Sequence, residues 1–484
     1  MLRTCRLALT SLTAVAIFGS CAGHAPHPGQ LPKLTSRQSD AAMKALLGKE
    51  KYAQFVLLAD TAEANSWLRK FWLEHDPTPT TAKNEFEEEH QRRIYHAIFC
   101  FGSSSRGGPP WDERGEVYIR YGDPNERRIL DEGAGDRSAA HSAHPAASDV
   151  YGAAANDDPL GASNAASEVW TYYRWDKTFQ FRDKRGYGFY EMVPVTDPTL
   201  PPEDLNEFYS SRLNAIDLQP AIYFHEYGKN LIDYALDVVR FHVGDNLWRV
   251  DVNLGYPLSV IGRGEDSSTI SLRRTVVIRD DDQKEVYSDI GLLRRRIDST
   301  QTSNRLMVEQ KICELPSGKY NLAVTIDDLF TGKSGTYTKS FILPKFIVSE
   351  VHEISDIEMA SFVWSIYEPG ASFIKGDRMV MPLPSRTYLS GQELAFYYEI
   401  YNLLLGDDRS THYTISYEIK DTRGKARFDF KEPGEFTSTA RDVKQFGSLD
   451  LEKIPPGDYL LTIKVSDRVG HHDRSTIALF KKSG

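Results

Sequence analysis

Seven residues between positions 111 and 123 mix aromatic, acidic and basic groups within a short stretch: Trp111, Asp112, Glu113, Arg114, Tyr118, Tyr121 and Asp123. Two kinds of chemistry fit such a set. Aromatic faces beside carboxylates bind a sugar or a peptide. If Asp112 or Glu113 lies in a cleft with a second acid or base opposite, the pair performs general acid–base hydrolysis of a glycan or peptide. The competing reading is structural: Trp111 and the tyrosines pack in a core, where aromatics dominate the energetics, and Arg114 pairs with a carboxylate.

Elsewhere the chain offers less. It has no His-Glu-x-x-His, no Gly-x-Ser-x-Gly and no phosphate-binding loop. The run Gly102-Ser103-Ser104-Ser105 reads as a linker that ends a helix. His141, His144 and Asp149, and separately His471-His472-Asp473, carry imidazoles suited to a transition metal, but neither set has a third ligand on a rigid element. No catalytic residue, metal ligand or cofactor is therefore expected. Asp280-Asp281-Asp282 reads as a hairpin turn, and Arg294-Arg295-Arg296 as solvated charge on a sheet edge.

The elements that position these residues follow from periodicity. A helical pattern starts near Ser39, and a stronger one spans Thr61 to Glu74, where Ala64, Trp67, Leu68, Phe71 and Trp72 form one apolar stripe. Thr80 or Thr81 caps a third helix carrying Phe86, His90, Ile94, Ala97, Ile98 and Phe101. Glu116 to Tyr121 reads as a strand that ends at Gly122-Asp123-Pro124, with Tyr118 and Arg120 on one face and Ile119 and Tyr121 on the other. Residues 132–167 are rich in Ala, Ser, Gly and Asp and read as a long disordered loop. Short strands follow at Val169–Tyr173, Phe179–Phe181 and Gly188–Tyr190.

The N-terminus supplies an address. Arg3 and Arg6 precede an apolar run, Leu7 to Phe18, that ends in Phe18-Gly19-Ser20-Cys21. This run is shorter than the roughly 20 residues a membrane-spanning helix needs and has the layout of a bacterial lipoprotein signal. Cleavage before Cys21 would make it the lipidated first residue, followed by a flexible tether over 21–40. Removing residues 1–20 takes away two arginines and no acid, so the net charge moves from -10 to -12. That acidity argues against nucleic acid and leaves the lipid as the membrane attachment. The expected location is the bacterial cell envelope, at the outer membrane facing the periplasm. Of the four cysteines, Cys100 and Cys313 remain in the folded body, either as two buried thiols or as a disulfide.

From Ala221 onward helical periodicity gives way to short strands and an internal repeat. Leu315-Pro316-Ser317-Gly318-Lys319-Tyr320-Asn321-Leu322 matches Ile454-Pro455-Pro456-Gly457-Asp458-Tyr459-Leu460-Leu461, and the match runs without a gap to Phe341 and Phe480. Upstream, Val277–Asp280 matches Glu418–Asp421. Repeated supersecondary units imply repeated domains. The segments 220–345 and 346–484 accordingly resemble immunoglobulin-like or fibronectin-III-like β-sandwich modules. Tyr320, Leu322, Val324 and Ile326 should face one core, and Tyr459, Leu461, Ile463 and Val465 another, as independent modules require.

Residues 41–195 resemble the GWxTD domain of bacterial envelope proteins. The resemblance rests on Phe71-Trp72, Asp76-Pro77-Thr78-Pro79, Asn84-Glu85-Phe86, Arg93, Tyr95, Phe99, Trp111, Gly115–Pro124, and Glu168-x-Trp170-x-Tyr172. The name-giving motif is altered to Pro110-Trp111-Asp112-Glu113-Arg114-Gly115, with Pro for Gly and no Thr. The resemblance implies a fold and an envelope setting rather than a reaction. The expected architecture is thus multidomain: an α+β domain over 41–215, followed by two all-β immunoglobulin-like sandwiches. The expected function is a non-catalytic lipoprotein that binds or scaffolds a protein or glycan. The alternative is an envelope hydrolase acting around Trp111.

Overall fold

The computed structural model describes residues 33–58, 60–103, 109–130, 167–184, 186, 188–195, 204–225, 231–244, 246–265, 268–297, 306–345, 351–365, 372–423, 427–431 and 435–484. Cys21, the signal run, His141, His144, Asp149 and the segment 132–166 lie outside them. The chain divides into an N-terminal unit, Met1–Glu226, and a C-terminal unit, Tyr227–Gly484.

In the N-terminal unit, α1 (Ser36–Phe55) starts at a capping box, with Thr35 accepting from the Gln38 amide and the Gln38 side chain accepting from Thr35 N. It therefore begins inside the segment read as tether. It kinks at Gly48, whose φ of 69° favours glycine and where a Cβ would meet Leu218 O at 2.8 Å. α2 (Thr61–Glu74) has the expected bounds and is capped by Asp60. α3 (Glu85–Phe101) is capped by Asn84 rather than by Thr80 or Thr81. Thr81 folds back instead: its Oγ1 lies 3.0 Å from Thr78 Oγ1, which donates to Glu85. β1 (Glu126–Leu130), β2 (Ser167–Tyr172), β3 (Lys177–Arg182) and β4 (Glu191–Val193) form an antiparallel sheet in that order. Ser167, the last residue assigned to the disordered loop, is the fully buried first residue of β2. Gly188–Tyr190, expected as a strand, precedes β4 as a loop. α5 (Leu205–Leu213) runs into a π-helical turn, Asn214–Leu218.

The main correction lies at the candidate site. Residues 113–121 form a helix, α4 (Glu113–Tyr121), and not a strand. Asp112 caps it through the Arg114 amide, Glu116 and Arg120 pair at helical i,i+4 spacing, and Gly122 ends it at φ 77°. Every residue from Arg114 to Tyr121 is buried. A helix enclosed on all sides shows no amphipathic stripe, and a short apolar run cannot be told from a strand by periodicity. The strand-based facing of Tyr118 with Arg120 and of Ile119 with Tyr121 falls with it. The core gathers Trp111, Val117, Tyr118, Ile119, Tyr121, Trp170, Tyr172, Phe179 and Phe181 between α4, α3 and the sheet.

The C-terminal unit is all-β and built twice. In its first half, β5 (Ala235–Gly244), β6 (Leu247–Pro257) and β9 (Leu306–Pro316) form one sheet. β7 (Thr269–Asp280), β8 (Glu285–Arg296), β10 (Gly318–Asp328) and β11 (Ser334–Leu343) form another, in the order β11-β10-β7-β8. Asp280 closes the β7–β8 hairpin by accepting from the amides of Asp282 and Lys284, the turn expected there. Arg294, Arg295 and Arg296 are exposed on edge strand β8.

In the second half, β12 (Glu353–Ile354), β13 (Glu358–Ser365), β14 (Ile374–Lys375), β15 (Arg378–Pro382), β17 (Leu394–Tyr401) and β21 (Val443–Leu449) form one sheet. β16 (Thr387–Tyr388), β18 (Thr411–Asp421), β19 (Arg427–Lys431), β20 (Phe436–Ser438), β22 (Gly457–Asp467) and β23 (His472–Lys482) form the other. The order β23-β22-β18-β19 repeats β11-β10-β7-β8.

The repeat holds in atomic detail. Tyr320 pairs across the ladder with Phe341 and Asp280, and Tyr459 with Phe480 and Asp421. Both tyrosines stack on their phenylalanine at 5.6 Å and donate to a proline carbonyl at 2.8 Å, Pro316 or Pro455. The expected faces line two separate cores between facing sheets: Tyr320, Leu322, Val324 and Ile326 in one, Tyr459, Leu461, Ile463 and Val465 in the other.

The two sandwiches are nevertheless joined. A third buried cluster combines Val239 and Phe241 of β5 with Ala360, Val380, Ala395 and Tyr397 of the second half. Arg240 pairs with Asp356 at 2.6 Å and Arg386 with Asp237 at 2.8 Å across the same junction. Cys313 is a free, buried thiol, pushed up to about 12 by burial, so it does not bridge to Cys100.

Candidate functional site

Trp111 enters α4 with its ring 1 % exposed and its indole Nε1 donating to Glu116 Oε1 at 3.0 Å. Asp112 is held three ways. It accepts from the Arg114 amide at 3.0 Å, from the Arg114 guanidinium at 2.7 Å and from the Tyr190 amide at 3.1 Å. Burial pushes its carboxyl above the usual carboxylate range, against the opposing pull of Arg114. Glu113 ties two distant segments to the helix start, accepting from Met192 N at 2.7 Å and pairing with Arg212 of α5.

Arg114 is the centre of this arrangement. Besides Asp112 it pairs with Glu168 of β2 at 3.0 Å, and its guanidinium lies 3.6 Å from the centroid of the Tyr190 ring and 4.9 Å from that of Phe101. Glu168 also holds Arg127 at 2.9 Å and accepts from Trp170 Nε1 at 3.0 Å. Burial pushes the Glu168 carboxyl up, but the Arg127 hydrogen bond and the charges of Arg114 and Arg127 outweigh it, and the net shift is downward.

Tyr118 and Asp123 belong to a separate group on the α3 side. Tyr118 donates to Asp123 at 2.9 Å, and Arg92 donates to Tyr118 at 2.8 Å and to Asp123 at 2.9 Å. His96 stacks on the Tyr118 ring at 4.1 Å, and burial lowers its imidazole to about 4, so it is neutral at neutral pH. Tyr121 is a core residue among Tyr172, Trp175 and Phe179. The structure therefore divides the seven sequence candidates. Asp112 and Arg114 share one buried network with Glu168, Trp111 belongs with Glu116 and Arg120, Glu113 with Met192 and Arg212, Tyr118 and Asp123 with Arg92, and Tyr121 with the aromatic core.

Partners that periodicity did not single out do much of the positioning. Arg120, 1 % exposed, pairs with Glu116 at 2.6 Å and donates to the carbonyls of Ile216 and Gln219. Arg93 is likewise buried and donates to the carbonyls of Ile119, Arg120 and Ile222. The signal for Glu116–Arg120 was present as an acid four residues before a base, but it is informative only once the segment is known to be helical.

Asp112 and Glu113 thus face basic and amide partners, and Glu168, a second carboxylate, shares the Arg114 guanidinium with Asp112. Among the described residues no three His, Cys, Asp or Glu side chains converge to hold a metal, and Asp473 pairs with Lys464 at 2.6 Å. No helix among the described residues is long and apolar enough to cross a membrane. A cavity of about 1100 Å³ lies in the C-terminal unit, lined by Leu306, Met307, Phe362, Phe373, Met381 and Leu383 among others.

Fold and site together define a protein with an α+β unit knit by buried ion pairs and an all-β unit of two joined sandwiches. No family model matches the chain, and no curated protein is similar to it.

Proposed function

We propose that this chain is a non-catalytic lipoprotein of the bacterial cell envelope, which binds or scaffolds a protein or glycan partner. In this reading the N-terminal unit is a GWxTD-like domain, and the two sandwiches are immunoglobulin-like or fibronectin-III-like modules. Lipid on Cys21 holds the protein at the outer membrane, facing the periplasm. The observation that carries the proposal is the commitment of the acids near Trp111. Asp112 caps α4 and pairs with Arg114, and Glu113 binds Met192 N and Arg212. A general acid or base must reach a substrate proton, and these oxygens are occupied in holding the fold.

The test separates binder from hydrolase. The purified protein, incubated with peptidoglycan sacculi and with denatured protein substrate, is expected to release no fragments above buffer, while immobilised protein retains a partner from detergent-solubilised envelopes. Fragment release that disappears in Asp112→Asn or Glu113→Gln, with both variants folded, would establish the hydrolase instead.

Membrane attachment has its own check. Cys21→Ser is expected to move the protein from the membrane pellet to the soluble periplasmic fraction. A variant that still pellets would show that something other than lipid holds it.

A further inference from the structure

Lys375, Asp251 and Glu358 are brought together inside the junction between the two sandwiches, and no role considered so far uses them. Their side chains are 1 %, 0 % and 0 % exposed. The Lys375 ammonium touches the Asp251 carboxylate and lies 2.8 Å from Glu358 Oε2. The walls are aromatic, with the Phe241 ring centroid 4.4 Å and the Tyr397 centroid 5.4 Å from Nζ. We propose that Lys375 and Asp251 condense to a side-chain amide, a covalent tie between the first sandwich and the second, with Glu358 moving the protons.

Each group stands where that reaction needs it. Asp251 lies in the middle of β6, paired on one side with Val239 of β5 and on the other with Ile312 of β9. Glu358 opens β13, opposite Tyr397 of β17, and Lys375 ends β14, opposite Arg378 of β15. Three strands therefore hold the reacting atoms in contact, which replaces a bimolecular encounter by a fixed geometry. Glu358 Oε1 is fixed by the amides of Asn253 and Gln310, each at 3.1 Å, and among the described residues Oε2 has no hydrogen-bond partner besides the ion pair with Lys375. Arg249 Nε reaches Asp251 Oδ1 at 2.7 Å and its Nη2 reaches Oδ2 at 3.1 Å, so a guanidinium already sits on the oxygens that gain charge when the carbon is attacked.

The step balances without any other reactant. Glu358 takes one proton from the Lys375 ammonium, leaving a neutral amine, which a dry site favours over a separated charge pair. Burial raises the Glu358 carboxyl above its ordinary value, so it holds a proton readily. The Nζ lone pair attacks Cγ of Asp251 and forms the C–N bond. Glu358 returns its proton to one carboxylate oxygen, removes a second proton from the nitrogen, and passes that to the same oxygen. The C–O bond then breaks and water leaves. The third nitrogen proton stays on the amide, and Glu358 ends as it began. The product exchanges a buried ammonium and a buried carboxylate for a neutral amide. Burying an ion pair carries a desolvation cost that its attraction often only just repays, and the exchange removes that cost.

Intact mass of the purified full-length chain under denaturing conditions decides the matter. The expected mass is lower than that of the chain by one water, about 18 Da. A tryptic digest should yield a branched peptide in which Val250–Arg263 is joined to Phe346–Arg378, with no cleavage after Lys375. Asp251→Asn is expected to lose ammonia instead, about 17 Da. Glu358→Gln, folded as judged by circular dichroism, is expected to keep full mass. Full mass in the natural chain, with Phe346–Lys375 and Val250–Arg263 recovered separately, would show an ion pair only and overturn the proposal. So would a lost water mapped to other residues. A linked Glu358→Gln variant would remove Glu358 from the role given to it.

Discussion

Replacing Arg120 with Met is expected to destabilise the N-terminal unit by about 3–5 kcal/mol, the cost of breaking a buried ion pair from one side. Arg120 is 1 % exposed and Glu116 nearly as buried. Without the guanidinium, the Trp111 indole is the one donor left to the Glu116 carboxylate among the described residues, and the Ile216 and Gln219 carbonyls lose the Arg120 donor. A buried acceptor left unmet costs its full desolvation penalty. Arg127→Met is the comparison, because that side chain is 39 % exposed and its pair with Glu168 is screened by water. It should cost no more than about 1 kcal/mol. Urea unfolding followed by tryptophan fluorescence measures both, since Trp111 and Trp170 each donate to a carboxylate of these networks. Equal small losses would mean that Arg120 holds nothing together and that α4 is fixed by apolar packing alone.

The contrast between those two arginines shows why the candidate site was only half legible in the sequence. The residues themselves stood out, as aromatic and charged groups crowded around Trp111. Their purpose did not, because it depends on partners far along the chain. Glu113 reaches Arg212, and Arg114 reaches Glu168 and Tyr190. Spacing within one element reports the near neighbours of a side chain and nothing of these. The reading of Glu116–Tyr121 as a strand failed for a related reason. Val117, Tyr118, Ile119 and Tyr121 are buried on different sides of one helix, and a fully enclosed helix loses the one-sided stripe that identifies it.

In the C-terminal unit the sequence was more open. The Pro-x-Gly-x-Tyr turn and the alternation after it put Leu322 and Leu461 in their cores, because a half-buried strand declares its inner face every second residue. The same rule does not reveal the outer face of β6. Arg249, Asp251 and Asn253 alternate with Val250, Val252 and Leu254 in the manner of a solvated face, yet Asp251 and Asn253 are at most 1 % exposed. They meet Glu358 and Lys375 of the second sandwich. β17 carried the complementary signal. Its run Leu-Ala-Phe-Tyr-Tyr has no polar alternation at all, as a strand covered on both faces requires.

That shared face governs the last expected result. Leu461 is fully buried among Ile419, Ile463 and Ala478 in the second core. Leu461→Ala is therefore expected to cost about 2–5 kcal/mol, the transfer term for the lost atoms plus the cavity left behind. Independent modules would confine the loss to the second sandwich. The structure argues otherwise, because opening either sandwich strips the partner from Phe241 against Tyr397 and from Arg240 against Asp356, and Lys375 joins β14 to Asp251 of β6. A buried apolar surface and a set of contacts shared by both halves cannot be given up by one alone, so the two sandwiches should unfold together. Hydrogen exchange of the full chain reads this directly. In Leu461→Ala the slowest amides of β10, in the first sandwich, should exchange faster along with those of β22. Acceleration in β22 alone would mean that the junction carries too little free energy to couple the two, and that the sandwiches open as separate domains despite the residues they share.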